Sequence, residues 1–103
     1  MSRKGGGSAV KVVVRLPSVL RADAGGEALL EVELPPEATL GDLLGVLATR
    51  YPRVERRIRD EQGELRRFVN VFVDAEESRH RGGQRLRLHD GAEVHVVPSV
   101  AGG

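Results

Sequence analysis

The run Val96-Val97-Pro98-Ser99-Val100-Ala101-Gly102-Gly103 takes the chain from a β-branched strand, through a proline, into small residues and onto two glycines. Pro98 lacks the N–H that a sheet ladder needs, so it predicts the close of the last strand and the start of an extended tail. Five residues beyond it, at no more than ~3.6 Å each, reach roughly 18 Å. Glycine has no Cβ, so Gly102 and Gly103 suit a channel too narrow for other residues. A terminal carboxylate is ionised at neutral pH and is a poor electrophile until activated, for instance as an acyl adenylate. The tail therefore reads as a substrate for another enzyme. A diglycine also arises by chance among 13 glycines, and Gly25-Gly26 and Gly82-Gly83 read as turns. Position after a strand and a proline is what separates Gly102-Gly103 from them.

Working back from that end, Glu93-Val94-His95-Val96-Val97 reads as the final strand, entered through a turn at His89-Asp90-Gly91. Phe68-Val69-Asn70-Val71-Phe72-Val73 is the most strand-like run, apolar on both faces, and predicts a central strand. At the other end, Val10 to Leu16 alternates with Val10, Val12, Val14 and Leu16 on one face. Ala28 to Leu34 alternates again with Leu30, Val32 and Leu34 inward, before Pro35-Pro36 stops it.

Between these strands, Thr39 and Asp42 form a capping-box pattern, and Leu40, Leu43, Leu44, Leu47 and Tyr51 recur at helical spacing. A helix is predicted over residues 40–50, with a shorter amphipathic turn over 54–58. Gly45 costs that helix about 1 kcal/mol relative to Ala, and reads either as room for the sheet or as a tolerated defect. Residues 74–83 read as polar and turn-rich, and Gln84 to Leu88 as a short strand. The predicted order is β-β-α-(short helix)-β-β-β, an α+β fold with one main helix across a mixed sheet of about five strands.

With 103 residues, the chain has room for one core. Its organisation reads as a flexible arm over 1–8, a folded domain over 9–98 and the tail over 99–103. A formal charge of +1 favours neither nucleic acid nor a membrane surface. Arg50, Arg53, Arg56, Arg57, Arg59, Arg66 and Arg67 are interleaved with Glu55, Asp60, Glu61 and Glu64 and lack the aromatics of a base-stacking site, so they read as a self-paired, solvated surface. With no cysteine there is no disulfide, thiolate nucleophile or thiolate-bound metal. His80, His89 and His95 fit no metal-ligand spacing, so no metal is expected. No Walker loop, Ser–His–acid signature or G-x-G-x-x-G is present, so no catalytic residues are assigned and the chain does not read as an enzyme. Its start lacks a signal peptide's apolar segment, and the chain reads as cytoplasmic.

These elements, with Arg67-Phe68-Val69-Asn70-Val71, Gly82-Gly83, Asp90-Gly91 and Val97 to Gly103, resemble the ubiquitin-like β-grasp family of bacterial sulfur carriers of the ThiS and MoaD type. Nearest within it are the CysO-type carriers of a thiocarboxylate-dependent cysteine pathway in actinobacteria. The resemblance covers about residues 10–103; the arm through Ser8 departs from the family pattern. It implies that Gly103 is adenylated by an E1-like enzyme using ATP and converted to a thiocarboxylate. It implies no bound cofactor. By the same resemblance, a PLP-dependent cysteine synthase or a secondary-metabolite enzyme accepts the sulfur, and in some relatives a zinc metalloprotease releases the product or trims residues after the diglycine. Gly102, Ala101 and Val100 would thread into the activating enzyme. The alternatives are a ubiquitin-like modifier joined to target lysines through Gly103, and a plain interaction domain with an inert tail.

Strand alternation also predicts a docking surface. With Val69, Val71 and Val73 facing the helix, Phe72 and Asn70 lie on the open face. If the last strand runs between the first and the 68–73 strand, as in the family, Val13, Phe72 and Val97 form one apolar patch beside the tail root.

Overall fold

A computed structural model describes residues 9–98. The predicted arm (1–8) and tail (99–103) lie outside the described residues. The alternating run near the start forms β1 (Val10–Arg15), paired antiparallel with β2 (Leu29–Leu34). The last strand, β5 (Glu93–Pro98), pairs parallel to β1 on one side and antiparallel to β3 (Val69–Val73) on the other. A two-residue β4 (Glu76–Glu77) completes a mixed sheet of order β2-β1-β5-β3-β4. The strand that leads into the tail is thus the central one. Pro98 is its last residue, paired with Val69.

Among the described residues, three α-helices accompany the sheet: α1 (Ser18–Arg21), α2 (Leu40–Arg50) and α3 (Pro52–Ile58). The predicted capping box forms in α2. Thr39 Oγ1 accepts from the Asp42 amide at 3.2 Å, and Asp42 Oδ2 accepts from the Thr39 amide at 2.9 Å. Leu40, Leu43, Leu44 and Leu47 of α2 are fully buried, packed into one core with Val12, Val14, Val32, Val71, Val94 and Val96 of the sheet. Burying each such leucine is worth about 1.5–3 kcal/mol, so this stripe holds the helix to the sheet.

Gly45 faces open space, and a Cβ there would meet nothing within 4 Å, so it is a tolerated helix defect and not room for the sheet. The close approach is at Gly41, where a Cβ would lie 3.2 Å from the Gln84 carbonyl oxygen.

Two segments differ from the sequence reading. The connection between β1 and β2 contains α1 and a 3-10 turn at Ala22–Ala24, which bury Leu20 and Ala24. The strand expected over Gln84 to Leu88 is a 3-10 turn (Gly83–Arg85) followed by one bridge, Arg87 to Thr39. Its backbone meets the entry to α2, where the Leu40 amide donates to the Leu86 carbonyl (2.8 Å) and the Leu88 amide to that of Ala38 (2.9 Å). The alternation of Leu86 and Leu88 reflects packing on the core, not membership of the sheet. The fifth strand is β4, inside the stretch read as polar turn.

β4 exists because Asp74 and Ala75 make a two-residue hairpin, with φ of 51° and 72°, between Val73 and Glu76. Both left-handed positions match the turn type that suits strand twist. Alanine is poorly suited to that region, where a Cβ costs roughly 1–2 kcal/mol. Ala75→Gly is therefore expected to raise the melting temperature by several degrees. A lowered melting temperature would show that Ala75 is not strained there.

Candidate functional site

Val97, the last residue before Pro98, lies opposite Asn70, and His95 lies opposite Phe72. The buried partners Val94, Val96, Val71 and Val73 alternate with them, so Asn70, Phe72, His95 and Val97 share the open face of the sheet. Phe72, Val97 and Asn70 are half-buried, and Phe72 and Val97 are diagonal neighbours, within reach of one another.

Val13 lies on the same face, but the register puts it opposite Glu93, four residues along β5 from Val97 or roughly 13 Å. His95 and Glu93 intervene. Arg15 reaches Glu93 at 3.8 Å. The structure therefore brings Phe72, Val97 and Asn70 together and sets Val13 apart, because β1 and β5 run parallel with Val13 near the start of β5. Val100, Ala101, Gly102 and Gly103 lie outside the described residues.

Asn70 is also part of the protein's own bonding. Its side-chain oxygen accepts from Arg79 Nη1 at 3.2 Å, while Arg79 Nη2 donates to the Arg66 carbonyl at 2.7 Å. This ties β3 to the turn that follows β4. Phe68, half exposed just before β3, lies against the Arg67 guanidinium, 5.9 Å from its ring centre.

On the opposite face of the sheet, the end of β5 borders a cleft of about 380 Å³ that the sequence reading did not foresee. Leu20 and Val96 are buried at its base, Val69 and Pro98 line one side, and Val19, Arg56, Arg57 and Arg66 complete it. The patch expected to pair with itself does so only in part. Arg59 bonds Glu55 at 2.7 Å and Gln84 at 3.0 Å, and Arg57 reaches Asp23 only at 4.0 Å. Arg53, Arg56 and Arg66 make no carboxylate pair among the described residues. No signal in the linear sequence places these arginines beside Pro98, since α3 and β5 meet only in the fold.

Among the described residues, no group of three or more His, Asp or Glu is placed to hold a metal. Nor is any of their helices long and apolar enough to cross a membrane. His89 bonds the Asp74 carboxylate through Nε2. That bond, with help from the Asp90 carbonyl, raises the His89 pKa, while the Glu93 amide and His89 lower that of Asp74.

The pair's contribution is thus full between the ordinary carboxylate and imidazole values. It is lost as pH falls from the ordinary carboxylate value through the lowered Asp74 value, and as pH rises from the ordinary imidazole value through the raised His89 value. Both groups are largely exposed, so the effect on stability is small. An NMR titration is expected to place the His89 midpoint above about 6.5 and Asp74→Asn to lower it. An unchanged midpoint in that variant would remove Asp74 as the cause.

The family model described as ThiS family matches residues 14–103, which includes all four later strands, both longer helices and the diglycine end. The chain belongs to the ThiS family. Among its relatives in this family, "Sulfur carrier protein CysO" of Mycobacterium tuberculosis is 34% identical over 96 residues, covering 91% of this chain and all of that protein. "Small archaeal modifier protein 3" of Haloferax volcanii is 36% identical over 78 residues, covering 76% of this chain and 84% of that one. The crystal structure of the Amycolatopsis orientalis BexX/CysO complex contains a chain that superposes with a TM-score of 0.78 at 34% identity, over 89% of this chain and 99% of that one. The β-grasp, ubiquitin-like architecture expected from the sequence is thereby established.

Proposed function

We propose that this chain is a sulfur carrier whose Gly103 carboxylate is activated by an E1-like enzyme. The carboxylate oxygen attacks the α-phosphorus of ATP and pyrophosphate leaves. Sulfide-level sulfur then attacks the carbonyl carbon, the C–O bond to the phosphate breaks, AMP leaves, and a thiocarboxylate remains. The observation that carries this reading is the central strand β5 leading directly to Ser99-Val100-Ala101-Gly102-Gly103, in a chain alike along its length to a protein named as a sulfur carrier.

The chain itself binds no cofactor and catalyses nothing in this reading: ATP is used by the activating enzyme, which places the reaction in the cytoplasm. The sulfur is accepted by a biosynthetic enzyme, such as a PLP-dependent cysteine synthase or a secondary-metabolite enzyme. A zinc metalloprotease acting on the tail or on the product is a further partner of the same chemistry. The absence of cysteine supports the reading, because an internal thiol would attack the acyl adenylate.

A second reading, conjugation of Gly103 to lysines of target proteins, is favoured by the likeness to the small archaeal modifier proteins. Intact-mass measurement of the protein from its own cells distinguishes them. A carrier shows one C-terminal oxygen replaced by sulfur, and a modifier appears in covalent conjugates. A carboxylate that stays unmodified with a competent activating enzyme, ATP and a sulfur source overturns both.

We assign docking on the activating enzyme to Phe72 and Val97, with Asn70 at their edge and Val13 as an outlying contact. Phe72→Ala is expected to weaken binding of the activating enzyme by more than ~1 kcal/mol, measured calorimetrically, with little change in melting temperature. A large loss of stability with unchanged affinity would assign Phe72 to the core.

A further inference from the structure

The cleft beside Pro98 joins two features that folding usually hides or neutralises. Val19 is 61% exposed on the four-residue α1, and Arg56 and Arg66 have no carboxylate pair among the described residues. Arg57 has only the distant Asp23. Arg66 Nε donates to the Arg56 carbonyl at 2.8 Å, which holds its guanidinium over the cleft wall. An apolar base under two guanidinium groups without a carboxylate and a third only distantly paired complements a segment bearing an aliphatic or aromatic side chain next to carboxylates.

Pro98 and Val69 line this cleft on the helix side of the sheet, while Val97 and Asn70 lie on the open side. An enzyme that draws residues 99–103 into a channel comes close to this strand end, where the cleft is within its reach. We propose that the cleft is a second docking surface, taking an acidic, apolar-bearing segment of the activating enzyme at the mouth of its tail channel. The tail root is then clamped from both faces of the sheet. This inference rests on the carrier reading and adds to it the partner's charge and the place where it holds on.

The test uses the full chain and the E1-like enzyme of the same organism. Arg56→Glu with Arg57→Glu, and separately Val19→Asp, are made at exposed positions and checked by thermal melting. Binding of wild type is expected to weaken with added salt. The double reversal is expected to lower affinity about tenfold or more and flatten that salt dependence, with Val19→Asp also weakening binding. Arg56→Lys, which keeps the charge, is expected to bind within a fewfold of wild type.

Unchanged affinity in both variants, with wild type still thiocarboxylated, overturns the clamp and leaves the carrier reading standing. Wild type that is never thiocarboxylated fails the carrier reading instead. Removal of residues 99–103 that shifts the NMR signals of Val19 and Arg56 in the free protein would give the cleft to the chain's own tail and overturn the partner assignment.

Discussion

Removal of Gly103 is expected to abolish thiocarboxylation, and Gly102→Val to reduce it at least about a hundredfold, with the melting temperature unchanged in both. Deletion withdraws the carboxylate by roughly 3.6 Å, one residue of extended chain. Reacting atoms must approach to about 3–3.5 Å, and a misplacement of ~1 Å already costs about a hundredfold in rate. Valine adds a branched side chain with a stiff χ1 where a narrow channel admits bare backbone. Stability should not follow, because the buried core extends no further along the chain than Val96 among the described residues. The measurement is intact mass after incubation with the activating enzyme, ATP and a sulfur source. Thiocarboxylation of the truncated chain would sink the carrier mechanism, and normal turnover of Gly102→Val would sink the channel argument.

The largest loss of stability is expected from Leu44→Ala, in the middle of the buried stripe of α2. Removing a fully buried leucine side chain costs about 2–5 kcal/mol, the lost transfer energy plus the cavity left behind. Against a total of roughly 5–15 kcal/mol that is a large share. At about 4–8 °C per kcal/mol for a domain of this size, the melting temperature should fall by 10 °C or more. The next residue provides the opposite sign: Gly45→Ala, with nothing within 4 Å of the added Cβ, should gain up to about 1 kcal/mol. A loss below about 1 kcal/mol in Leu44→Ala would contradict the packing of α2 on the sheet.

The linear sequence by itself determined the parts whose physics is local. Capping by Thr39 and Asp42, the leucine spacing of α2 and the alternation of β1, β2, β3 and β5 each depend on residues within a few positions of one another. They could be read without knowing the fold.

Only the tertiary structure decided which of these surfaces meet. The strand register puts Phe72 beside Val97 and leaves Val13 opposite Glu93, the first through pairing of β3 with β5 and the second through pairing of β5 with the far more distant β1. Likewise, Leu86 and Leu88 alternate like a strand but pack at the entry of α2, while Asp74 and Ala75 turn the backbone through left-handed positions that their residue types do not announce. The basic cleft at Pro98 exists only because α1, α3 and the end of β5 converge there. Burial of one shared core brings these distant segments together, and that compaction sets which charges stay unpaired beside the root of the tail.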